Sequence, residues 1–188
     1  MTGGYDAIVL AGGRSRRMGG VDKTRLVVGD AALLDRVLDA AAHAGRIVVV
    51  GPERPVGRPV TWTQERPAGG GPAPAVREGL RHVTAPYVVL LAADLPFLTP
   101  VAVDDLVDRV GEDDGAVPVD ASGRPQWLCS AWRTSALADA AGDAATSLRR
   151  LLGVRRFRPI PVDGDGDGVT AYADCDTPEQ LRRAREQR

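Results

Sequence analysis

A short apolar run, Tyr5 to Leu10, breaks off directly into Ala11-Gly-Gly-Arg-Ser-Arg-Arg-Met-Gly-Gly-Val-Asp-Lys23. A β-branched-rich run of strand length that ends in glycines reads as a buried strand. A glycine-rich, cationic loop at its carboxyl end is where open α/β sheets hold their ligands. Glycines let backbone N–H groups approach a phosphate, and Arg14, Arg16, Arg17 and Lys23 supply charge. Lys23 is also the only lysine of the chain, against 23 arginines. A compact ammonium on a flexible stem makes a point contact to phosphate that a planar guanidinium cannot copy. One lysine surviving by chance on the surface is the blander account; the motif around Lys23 outweighs it.

The rest of the chain alternates in the same style. Helical spacing predicts a helix over Ala31–Ala44 that stops at Gly45, and strands over Arg46–Val50 and Val60–Thr63. Pro72 suits the first turn of a helix. Tyr87–Ala93 is the strongest strand pattern, and Pro100 opens a helix to about Val110. Ala116–Val119 and Trp127–Trp132 read as strands, and Ala136–Leu152 as helix broken near Gly142. Arg156–Pro161 and Val169–Ala173 are weaker strand patterns, and Pro178–Arg185 is an amphipathic helix. Such alternation implies a mainly parallel sheet covered by helices on both faces.

Composition narrows the function classes. With 188 residues a single domain spanning 1–188 is expected, and a formal net charge of −1 offers nothing to nucleic acid or an anionic membrane. No apolar run approaches the roughly 18 residues of a membrane span, and no signal pattern opens the chain, so a cytoplasmic location is expected. Cys129 and Cys175 have no CxxC spacing and are expected to be reduced thiols.

Two more loops leave expected strand ends with suitable chemistry. Glu65-Arg-Pro-Ala-Gly-Gly-Gly-Pro72 is either a plain turn or, with three glycines before a helix-starting proline, a close approach for a base or sugar at Gly70. Asp94 follows seven uncharged residues. It could cap a helix, but the next one is expected only near Pro100, and a magnesium ligand is the better account of a carboxylate there. The first loop is not a Walker A motif, since Val21-Asp22 separates Gly20 from Lys23, and it lacks the full GxGxxG spacing.

Residues 10–23, LAGGRSRRMGGVDK, resemble the signature of the molybdenum cofactor guanylyltransferase family within the nucleotidyltransferase superfamily. The resemblance continues in the same order with PAGGGP (67–72), ADLPF (93–97), GRPQWL (123–128) and DCDTPE (174–179), almost the whole chain. It implies a three-layer, Rossmann-like α/β sandwich with a mainly parallel central sheet, of the nucleotide-diphospho-sugar transferase type. It further implies transfer of GMP from GTP to the terminal phosphate of molybdopterin, with Mg²⁺ as cofactor and pyrophosphate as leaving group. On this resemblance Leu10, Ala11, Gly12 and Gly13 approach the nucleotide through their backbone. Lys23 and Arg17 neutralise the phosphates, Glu65 and Gly70 lie near the nucleotide, and Asp94 binds the metal. Arg124, Gln126, Trp127, Asp174 and Asp176 face the acceptor.

Four positions depart from the family pattern. Gly51 stands where an asparagine is frequent, Glu65 where an aspartate is expected, and Asp174 and Asp176 where bacterial members have asparagines. These leave open a cytidylyltransferase for the same cofactor, a guanylyltransferase for another phosphorylated small molecule, and a non-catalytic nucleotide-binding protein. Partners beyond GTP and molybdopterin would be cofactor-biosynthesis or acceptor proteins. The attacking phosphate is already anionic, so no strong base is needed, and His43 and His82 read as structural. Asp163–Gly168 with Asp174 resembles a calcium loop but reads as an acidic surface turn. Arg149, Arg150, Arg155, Arg156 and Arg158 form a basic cluster, either a solvated face or a contact for an acidic cofactor tail or partner.

Overall fold

The computed structural model describes residues 4–12, 24, 26–141, 147–162, 171–173, 175 and 177–186. Lys23, Arg17, Gly13, Asp174, Asp176 and the acidic 163–168 segment, all singled out above, lie outside the described residues.

In chain order the strands are β1 (Tyr5–Leu10), β2 (Val27–Val28), β3 (Ala31–Ala32), β4 (Ile47–Val50), β5 (Thr61–Thr63), β6 (Tyr87–Ala92), β7 (Gly115–Val119), β8 (Cys129–Arg133) and β9 (Phe157–Pro161). The helices are α1 (Leu33–Ala40), α2 (Pro72–Leu80), α3 (Pro100–Asp108), α4 (Thr134–Ala141), α5 (Leu148–Leu152) and α6 (Pro178–Glu186). Among the described residues seven strands form one sheet in the order β5-β4-β1-β6-β8-β7-β9. Every neighbouring pair is parallel except those made by β8, which runs against both β6 and β7.

Burial of both sheet faces explains why the central strands read as nearly continuous apolar runs, interrupted in β1 by Asp6. On β1, Tyr5, Ala7 and Val9 face α1 and α3, joined there by Val49 of β4 and by Val89 and Leu91 of β6. Ile8 and Leu10 face the opposite layer with Val48, Val88 and Leu90, against Val76 of α2, Leu137 of α4 and Leu151 of α5. This is a three-layer sandwich. A smaller cluster, Val28, Leu33, Cys175, Leu181 and Ala184, seats α6 beside the β2–β3 hairpin. The α2–β1 packing is close enough to exclude a side chain at Gly79, whose Cβ would lie 2.7 Å from Ile8 Cγ2.

Some boundaries differ from the sequence reading. The first helix begins at Leu33, not Ala31, because Gly29 at φ 63° turns the chain into the β2–β3 hairpin. Leu33 N–H then closes onto Leu26 O at 2.9 Å. That helix ends at Ala40, and Gly45 N–H is used by Tyr5 O instead. The strand expected from Trp127 begins at Cys129, since Cys129 N–H turns back to Gln126 O at 3.0 Å. The helical stretch expected over Ala136–Leu152 with a break near Gly142 is two helices, as read, with Ser147 capping α5 by accepting Arg150 N–H. Of the weak strand at Val169–Ala173 the described part, Ala171–Ala173, is turn and coil. No helix among the described residues is long and apolar enough to cross a membrane.

Candidate active site

Parallel pairing sends the carboxyl ends of β1, β4, β5, β6 and β7 to one edge, and the reversed β8 contributes its amino end there. The segments following those strands therefore lie along one edge: Leu10–Gly12, Gly51, Glu65–Gly71, Asp94 and the β7–β8 connection with Arg124, Gln126 and Trp127. Backbone hydrogen bonds lock the centre of the edge. Ala11 N–H donates to Val50 O at 2.9 Å, and Ala93 N–H to Leu10 O at 3.2 Å, setting Asp94 beside the loop that leaves β1.

Gly51 closes this joint. Its φ is +151°, and a Cβ there would lie 2.8 Å from Ala11 C and 2.9 Å from both Ala11 O and Gly12 N. Gly51 N–H is held by Thr63 O at 2.9 Å, so the residue cannot back away. The lack of a side chain at 51 thus has a packing cause: the ends of β1 and β4 approach too closely for one. Below it, Thr63 Oγ1–H donates to Glu78 Oε1 at 2.8 Å. That hydroxyl, helped by Arg81, holds the Glu78 carboxyl below the ordinary carboxylate range against the opposing effect of burial.

The glycine loop after β5 is braced from within. Glu65 Oε1 accepts Gly69 N–H at 2.8 Å, so this carboxylate ties its own turn. Gly69 (φ 79°) and Gly71 (φ 100°) adopt conformations that favour glycine, and Gly70 is exposed between them. α2 starts at Pro72 with no side chain capping its amino end.

Asp94 is half-buried, and its carbonyl accepts Cys175 N–H at 3.0 Å, fastening the segment before α6 to the end of β6. No group of three His, Cys, Asp or Glu side chains able to hold a metal occurs among the described residues. The Asp94 carboxylate at the end of β6 suits a cation that draws its other ligands from phosphate oxygens and water, as Mg²⁺ does; Ca²⁺ wants a fuller oxygen cage. The donor set therefore fits magnesium.

On the far side of Asp94, the β7–β8 connection is fixed by Asp120. Its Oδ1 accepts Ser122 Oγ–H at 2.6 Å and the N–H groups of Ser122 and Arg124, each at 2.9 Å. The Ser122 hydroxyl, then the Arg124 N–H, hold this carboxyl below its ordinary range. Arg124 thus has a pinned backbone and an exposed side chain. Gln126 N–H reaches Pro118 O at 2.8 Å, and Leu128 O accepts Ala92 N–H at 2.7 Å, placing Trp127 close to the end of β6. Fully buried Trp132 donates Nε1–H to Ser130 Oγ at 2.8 Å, and Ser130 Oγ–H donates to Trp127 O at 2.7 Å.

Sequence reasoning missed Asp120, Ser130 and the steric role of Gly51. The turn signature Asp120-Ala-Ser-Gly123 could have exposed the first; the other two are long-range contacts. Both histidines are structural, as expected. His43 Nδ1 lies 2.8 Å from Asp104 Oδ2, where Tyr5 Oη–H also donates to Asp104 at the opposite edge of the sheet. His82 lies 3.8 Å from Glu78. Cys129 and Cys175 are both buried and are not joined in a disulfide.

A mainly parallel α/β sandwich with glycine-rich turns and Asp94 on its carboxyl edge is an architecture found among nucleotidyltransferases. Molybdopterin-guanine dinucleotide biosynthesis protein A of Archaeoglobus fulgidus shares the fold with a TM-score of 0.76 at 24% identity, over 97% of both chains. The 2-C-methyl-D-erythritol 4-phosphate cytidylyltransferase of Thermus thermophilus shares it with a TM-score of 0.73 at 16% identity, over 96% of both. The chain belongs to the MobA-like NTP transferase family, whose domain matches residues 7–159. Relatives named "Probable molybdenum cofactor guanylyltransferase" include one from Natronomonas pharaonis, 30% identical over 95% of this chain and 96% of its own. Another, from Mycobacterium avium, is 33% identical over 86% of this chain and 83% of its own.

Proposed function

We propose that this nucleotidyltransferase moves GMP from GTP to the terminal phosphate of molybdopterin and releases pyrophosphate, with magnesium bound at Asp94. The observation that carries the reading is the joint at the centre of the edge, where Ala93 N–H on Leu10 O brings Asp94 beside the glycine-rich loop leaving β1. The names of relatives aligned along nearly the whole chain favour this acceptor and this base.

In this reading the backbone of Leu10, Ala11, Gly12 and Gly13 approaches the nucleotide, and Glu65 shapes the glycine turn that presents Gly70 to the base or sugar. Lys23 and Arg17 neutralise the pyrophosphate as it leaves. Asp94 holds Mg²⁺, which when bound supplies positive charge to the phosphate oxygens. Arg124, Gln126, Trp127, Asp174 and Asp176 orient the acceptor so that its phosphate oxygen lies in line with the α-phosphate. That oxygen is already anionic near neutrality, so the chain needs no general base, in keeping with two histidines engaged elsewhere. Catalysis rests on positioning and on electrostatic stabilisation of negative charge.

Calorimetric titration with GTP, CTP and ATP in magnesium, followed by pyrophosphate release with molybdopterin, tests this. GTP preference with release is expected. CTP preference makes the chain a cytidylyltransferase, and tight nucleotide binding without release on any phosphorylated acceptor makes it a binding protein.

A further inference from the structure

The five arginines of the basic cluster are not equivalent in three dimensions. Arg156 and Arg158 are spent on one carboxylate, Asp113, at 2.7 and 3.4 Å. Arg149 and Arg150, on α5, are exposed and pair with no carboxylate among the described residues. These two instead border an open cleft of about 570 Å³ whose other walls include Trp127, Ser147, Gly153 and Phe157. The Trp127 and Phe157 rings meet edge to face, centroids 5.4 Å apart at 77°. Gly153 ends α5 close to its own turn: a Cβ there would fall 2.5 Å from Arg149 O.

Aromatic walls with two unneutralised guanidinium groups at the rim suit a planar heteroaromatic ring that bears an anionic substituent. Trp127 belongs both to this cleft and to the β7–β8 connection beside the end of β6. We infer that the cleft formed by Trp127, Phe157, Arg149 and Arg150 is the subsite for the fused-ring, anionic end of the acceptor, remote from the phosphate that attacks. This rests on the function proposed above and singles out Arg149 and Arg150, within the basic cluster seen in the sequence, as the two specificity residues.

The test uses pterin-6-carboxylate, a fused-ring anion, and uncharged pterin as probes, titrated calorimetrically into the intact chain with and without Mg²⁺ and GTP. The carboxylate should bind more tightly than pterin and weaken as salt rises. Arg149→Ala/Arg150→Ala should weaken it by roughly tenfold or more, the scale of one or two charged hydrogen bonds. Trp127→Ala should also weaken it, and both changes should raise the acceptor KM while leaving GTP affinity within about twofold. Arg156→Ala removes the same charge from the same face but leaves Asp113 its second partner, and should change nothing. Equal binding to wild type and the double variant, or no binding of the carboxylate to wild type, overturns the subsite. A chain that transfers GMP with an unchanged acceptor KM in the double variant refutes the cleft alone. One that binds the probe through Arg149 and Arg150 yet transfers no nucleotide refutes the function instead.

Discussion

Replacing Gly51 with alanine tests whether the joint between β1 and β4 shapes the nucleotide loop. Two costs add. The Cβ would enter a backbone conformation at φ +151°, and a non-glycine residue held in a sparsely populated region costs about 1–3 kcal/mol. It would also press on Ala11 C at 2.8 Å, and overpacking of that kind typically costs about 1–3 kcal/mol. Neither partner can yield easily, because Ala11 N–H is bonded to Val50 O and Gly51 N–H to Thr63 O. The total is therefore roughly 2–6 kcal/mol, which for a chain of this length lowers the melting temperature by roughly 4–24 °C. Whatever part is relieved by pushing Ala11 and Gly12 aside should reappear as a higher Kd for GTP. Urea unfolding and GTP titration of Gly51→Ala read the two shares. Gly57→Ala is the control: its Cβ would meet only Asp35 Oδ1 at 4.0 Å, so stability and affinity should stay near wild type. Gly51→Asn, which restores the residue frequent in the family, should also lose affinity. Wild-type stability together with wild-type GTP affinity in Gly51→Ala would refute the steric account.

Asp94→Asn is nearly isosteric and should melt like wild type while turnover in magnesium falls on the order of 10²–10³-fold; near-normal turnover would put the metal elsewhere. Gly79→Ala sets a Cβ 2.7 Å from Ile8 Cγ2 and should destabilise by about 1–3 kcal/mol in urea unfolding. Ser130→Ala leaves the buried Trp132 Nε1–H without its acceptor, costing about 1–3 kcal/mol. It also frees the Trp127 carbonyl, so the acceptor KM should rise more than that of GTP. The Glu78 carboxyl lies below its ordinary 4.5 in the folded chain, chiefly through the Thr63 hydroxyl, so the folded state binds fewer protons there than the unfolded state. Its contribution is complete above pH 4.5 and disappears as pH falls through the lowered folded value, and Thr63→Val should flatten the acid limb of a stability–pH curve.

The layers, the parallel strands and the loops that matter were legible in one dimension because each rests on local physics. Apolar runs at β4 and β6, and at β1 apart from Asp6, read as strands covered on both faces. Glycines after β1 and β5, and a carboxylate after β6, carry their meaning at whatever edge their strands end. The reading faltered where contacts between distant segments decide. The β2–β3 hairpin shortened a helix through a single left-handed glycine, and the β7–β8 turn delayed a strand by two residues. Gly51 seemed merely a missing asparagine until the spacing of two strand ends showed that no side chain fits. The arginine cluster looked uniform along the chain. Only folding brought Asp113 to Arg156 and Arg158 and left Arg149 and Arg150 uncompensated at an aromatic cleft, because charge neutralisation depends on distance in space, which sequence spacing does not encode.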